Sequence, residues 1–142
     1  MEEFKTKKDT NPVNIIIKPS SDAILDGPNK VRISIYNENA PRKWRKVKVI
    51  ETELNKTFEA TIEKQRIVDR PIIKIKTNLF ADPLSKKDDM LKTTTVSYNL
   101  SSAVTDEKDY ESTFLNHSEE YDPGSSIDQT FSVTKRIKTI LT

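Results

Sequence analysis

Six or seven short stretches of this chain place an apolar residue at every second position, and no segment keeps the 3.6-residue period of a helix over three turns. A period of two belongs to a strand with one face in a core and the other in solvent. Val13, Ile15 and Ile17 alternate with Asn14, Ile16 and Lys18, and Val31, Ile33 and Ile35 alternate with Arg32, Ser34 and Tyr36. Phe58, Ala60 and Ile62 alternate with Glu59, Thr61 and Glu63, and after Pro71 the isoleucines Ile73 and Ile75 oppose Lys74 and Lys76. Leu91 to Leu100 reads as a further strand, with Thr94, Val96, Tyr98 and Leu100 on one face. Between Trp44 and Leu54 the parity changes: Val47 and Val49 give way to Ile50, Thr52 and Leu54, which predicts a β-bulge near Val49–Ile50. That strand and the stretch 57–63 are expected to pair as a hairpin across Asn55-Lys56.

Several short strands separated by turns predict an all-β fold, and their number and span point to an immunoglobulin-like β-sandwich with extended N- and C-terminal arms. The Cys…Trp…Cys spacing of antibody domains is absent, so the expectation concerns architecture alone. Residues 13–100 are read as the sandwich and the polar residues 1–12, ending at Asn11-Pro12, as an N-terminal arm. Residues 101–142 are read as an acidic linker followed by a C-terminal strand or arm. From Ser101 to Ser126 the acidic side chains Asp106, Glu107, Asp109, Glu111, Glu119, Glu120 and Asp122 face the single basic Lys108. Such a segment buries too little to offset its ordering entropy alone. From Thr130 the pattern returns, with Phe131, Val133, Ile137 and Leu141 and the interleaved Lys135, Arg136 and Lys138. Of the 142 residues 34% are hydrophobic and 32% charged, against about 45–50% apolar in an ordinary globular chain, so only part of the chain is expected to build the core.

The densest basic run, Arg42, Lys43, Arg45, Lys46 and Lys48 around the only tryptophan, Trp44, is the candidate interaction site. Charge around an aromatic platform suits single-stranded nucleic acid. The same residues suit an acidic protein surface, and on the plainest reading Lys46 and Lys48 line the exposed face of a strand and discourage edge-to-edge pairing. With 24 basic against 22 acidic residues the formal charge is +2, so recognition of a polyanion has to come from local clustering. The acidic 101–126 segment of a second copy has the right sign to meet the basic run, which makes self-assembly a further expectation.

Catalysis and cofactor binding are not expected. His117 is the only histidine, and it stands beside Ser118 in the acidic segment, outside any strand. Asp82, Asp88 and Asp89, or Glu119, Glu120 and Asp122, lack the spacing and glycine of a calcium loop, and the two glycines, Gly27 and Gly124, stand apart, so no phosphate-cradling loop is formed. No cysteine is present for a disulfide or a thiolate metal site. The N-terminal MEEFKTKKDTN has no apolar signal-peptide core, and no run approaches the roughly 20 apolar residues of a membrane helix. The expected role is a non-enzymatic structural component of a larger assembly. Its concrete form is a virion accessory protein, in capsid decoration or a head–tail connection, found in the virion or in the cytoplasm before assembly. Its partners would be protein subunits, copies of itself included. The alternative is a single-strand-binding β-barrel that uses Arg42 to Lys48.

Overall fold

A computed structural model describes residues 1–25, 30–51, 55–103, 106–115 and 120–142. The strands are β1 (Glu2–Thr6), β2 (Val13–Ser20), β3 (Ile24–Leu25), β4 (Val31–Asn37), β5 (Ala40–Ile50), β6 (Phe58–Ile62), β7 (Ile72–Phe80), β8 (Thr95–Ser102), β9 (Asp106–Thr113), β10 (Tyr121–Asp122) and β11 (Thr130–Leu141). Two short helices, α1 (Lys64–Asp69) and α2 (Lys87–Thr93), flank β7 in sequence. The larger sheet runs β1-β11-β7-β4-β5, with β3 beside β7 and β10 beside β11, and the smaller runs β6-β2-β8-β9. Among the described residues every pairing is antiparallel except β1 on β11, which is parallel. The two sheets pack face to face as an all-β sandwich.

Strand alternation builds this core directly. Val13, Ile15 and Ile17 of β2 and Val96, Tyr98 and Leu100 of β8 meet Val31, Ile33 and Ile35 of β4, Ile73 and Ile75 of β7 and Phe131, Val133 and Ile137 of β11, all buried in one cluster. Burial of a side chain of this kind stabilises by about 1.5–3 kcal/mol against leaving it exposed. At the sheet edges polar contacts join the layers. Lys48 Nζ of β5 donates to Glu59 O of β6 at 3.0 Å, and Tyr110 Oη of β9 donates to Glu3 O of β1 at 2.6 Å.

Several sequence expectations are corrected. β5 and β6 do not form a hairpin: β5 pairs with β4, and β6 crosses to the other sheet and pairs with β2. The bulge lies at Val47, where Ile33 faces Lys48 and Ser34 faces Lys46, two residues earlier than the parity change suggested. Thr52 to Leu54 lie outside the described residues, as do Asp26 to Asn29. Leu91 to Thr93 belong to α2, and β8 begins at Thr95.

The segments read as arm and linker take part in the sheets. Within residues 1–12, β1 lies on β11 with Phe4 only 1% exposed in the core. Lys64, itself buried, donates to Lys7 O at 2.6 Å and to Asp9 Oδ1 at 2.5 Å, and the ammonium beside Asp9 holds its carboxyl below the usual range. Within 101–126, β9 pairs along the whole of β8. Lys135 does not interleave with the apolar residues of β11. It shares the inward parity of Val133 and Ile137, is 1% exposed, and is ion-paired with Glu2 and, at 3.9 Å, Glu120.

Candidate anion-binding face

The outward face of the larger sheet is assembled from the solvent-parity positions of its strands. β7 lies between β4 and β11, and the register sets Arg32 opposite Lys76, Ser34 opposite Lys74, and Lys74 opposite Arg136. Directly opposed residues share a face with Cβ atoms about 4.5–5.5 Å apart. Three strands thus bring four cations together from positions over 100 residues apart. Pro41 and Trp44 of β5 close one side, and with Arg32, Ser34, Tyr36, Lys74, Lys76 and Arg136 they line a groove of about 260 Å³. Trp44 is 49% exposed, so much of its ring is open to solvent, whereas Tyr36 is largely covered at 9%.

No carboxylate lines the groove among the described residues. Arg32, Lys74, Lys76 and Arg136 make no side-chain hydrogen bond or ion pair among the described residues. Partial burial and the like charges of Arg136, Lys76 and Arg32 hold the Lys74 ammonium below the usual lysine range. The cluster is therefore a set of cations whose mutual repulsion an anion laid along the groove relieves. Two residues beyond Arg136 on β11, Lys138 is already paired with Glu38 at 2.9 Å.

The opposite side of the sandwich has the opposite character. Glu107, Asp109 and Glu111 of β9 and Glu59 of β6 occupy outward positions, paired with Ser101, Asn99, Ser97 and Ile16. Asn99 Nδ2 donates to Glu107 Oε1 and to Asp109 Oδ1, both at 2.8 Å.

Set against known proteins, the chain matches no protein family, no curated protein sequence and no solved structure.

The basic run is split by its own strand. Trp44 lines the groove, and Lys46, opposite Ser34, shares its face. Arg45 stands opposite Ile35 and Lys48 opposite Ile33, on the other face, where Lys48 reaches β6. Arg42 and Lys43 are exposed on β5 near the turn from β4 and do not line the groove. Arg32, Lys74, Lys76 and Arg136, absent from the sequence-derived site, supply its charge. Their signal was present as basic residues at the solvent parity of three strands, but which strands are neighbours was not.

His117, Ser118 and Glu119 lie outside the described residues. Asp88 and Asp89 sit in the first turn of α2, and among the described residues no three His, Asp or Glu side chains converge as a metal site. No helix is long and apolar enough to cross a membrane.

Proposed function

We propose that the chain is a non-enzymatic binding protein that takes an anionic strand, single-stranded nucleic acid, across the outward face of β5, β4, β7 and β11. The groove carries this reading: four cations with no ion-pair partner among the described residues run beside a half-exposed indole. Cations track a phosphate backbone, and an open aromatic ring stacks an unpaired base for about 1–3 kcal/mol per base. A duplex keeps its base faces stacked inside itself and has no use for Trp44, which favours a single strand.

The test is binding of an oligothymidylate of about 12 nucleotides, followed by anisotropy and by quenching of Trp44 fluorescence. Four phosphate contacts to a single strand give a slope of log K against log salt of about −3. Trp44→Ala is expected to weaken binding by about 1–3 kcal/mol at any salt concentration. Binding that ignores both salt and Trp44 would sink the reading, as would none at low salt.

A second reading, a structural component of a larger assembly such as a virion accessory protein, is supported by the opposite charges on the two faces of the sandwich. Docking through the termini draws no support from β1 and β11, which pair with each other inside the chain. That the sandwich is immunoglobulin-like is part of the same proposal. Two packed, mainly antiparallel sheets support it.

A further inference from the structure

We infer that copies of this chain associate face to face, the acidic outward face of β6-β2-β8-β9 in one copy seating on the basic outward face of β11-β7-β4-β5 in the next. The inference rests on the assembly reading, and an oligonucleotide competes with the second copy for the same groove. A formal charge of +2 conceals a molecule with two oppositely charged sides. Arg32, Lys46, Lys74, Lys76 and Arg136 share the outward face of the larger sheet. On the smaller sheet Glu59, Glu107, Asp109 and Glu111 face outward, with Lys18 the only cation among the described outward positions. The Asn99 amide holds two of those carboxylates together, and Glu107, Asp109 and Glu111 are all exposed. Each copy therefore presents one anionic sheet face and one cationic groove with no carboxylate in its lining among the described residues.

Charge complementarity selects a second copy as the occupant, and the sheet edges argue for stacking over strand addition. Along the free edge of β5, Arg70 Nε donates to Lys43 O and Arg66 Nη2 to Lys46 O, each at 3.2 Å, so these carbonyls already have partners. On the opposite side of the sandwich, β9 is tied to β1 through Tyr110 and through Asp106, which accepts from Thr6 and Lys7. Because the two faces lie on opposite sides of the sandwich, the contact is heterologous and copies add in an open row. Solvated ion pairs hold such a row, so it exists at low salt and dissolves when the screening length falls to a few ångströms.

Sedimentation velocity on the full chain tests this at about 10 mM and about 1 M salt. At low salt the wild type is expected to populate species at multiples of 16.3 kDa, and at high salt the monomer alone. Glu107→Lys, Asp109→Lys and Glu111→Lys together reverse the acidic face without touching the groove. That variant is expected to stay monomeric at low salt with its groove open, so that the oligonucleotide still quenches Trp44. Arg32→Glu, Lys74→Glu and Arg136→Glu together are expected to abolish both association and quenching. Mixing the two reversed variants restores complementary faces and should bring back the heavy species, a gain that misfolding cannot mimic. If the groove variant does not fold, the exposed β9 variant decides alone. A wild type that remains monomeric at low salt overturns the proposal, as does association that survives reversal of β9, or a mixture of two folded variants that stays monomeric. Loss of the oligonucleotide result with stacking intact would remove the nucleic-acid reading and leave this one standing.

Discussion

At Lys74 the groove's chemistry and the stability of the fold pull in opposite directions. Burial, Arg136, Lys76 and Arg32 all disfavour its charge, so its folded pKa lies below the ordinary value of 10.5. The unfolded chain binds that proton more tightly, and this group's destabilising effect fades as pH rises from the folded value to 10.5. Lys74→Met keeps the aliphatic stem and removes the charge. It is expected to raise the urea midpoint at pH 7 while weakening oligonucleotide binding and flattening the salt slope by about 0.7. A midpoint that falls would mean that the lysine is neutralised in the free protein.

Among the elements, β5 makes the sharpest distinction. Without a bulge, Lys46 and Lys48 would share a face; the extra residue at Val47 sends Lys46 to the groove side and Lys48 to Glu59 of β6. Lys46→Glu is therefore expected to weaken oligonucleotide binding several-fold, while Lys48→Glu leaves it near the wild-type value; equal losses in titrations of the two variants would place the ligand elsewhere. β1 supplies a second case. It contributes only five residues, yet Phe4 is buried in the core and Glu2 meets the buried Lys135. Phe4→Ala is expected to cost about 3 kcal/mol in urea unfolding. It should also speed amide exchange along the side of β11 that β1 covers.

For the whole molecule, alkaline pH is the informative variable. Burial pushes Tyr98 and Tyr121 well above the ordinary phenol range, and burial together with Glu2 pushes Tyr110 up to about 12. A raised folded pKa contributes stability that is complete below the unfolded value of 10.0 and is lost as pH climbs through the folded values. The urea midpoint should therefore fall steadily above about pH 10, the opposite sign to the single contribution of Lys74. Tyrosinate absorbance from these three residues should appear together with unfolding, and its appearance in the native protein near pH 10 would contradict their burial. The charge map belongs to this scale too: near-neutral composition says nothing of solubility at low salt when the charges are sorted onto two faces.

Period-two alternation determined by itself that the chain is built of strands and which side of each faces inward, because side-chain direction along a strand is a local property of the backbone. It also placed Arg32, Lys74 and Lys76 in solvent, and it carried unused signals. Leu91 has the opposite parity to Val96 and falls in α2, and Lys135 has the parity of Val133 and lies in the core. Helices of six and seven residues are too short to display their own period. Only the tertiary structure decided that β7 separates β4 from β11, that β6 leaves β5 for β2, and that the bulge falls at Val47. Those are choices of partner, settled by packing two sheets over one core. The groove exists because of them, since its cations come from strands that local sequence could not make neighbours.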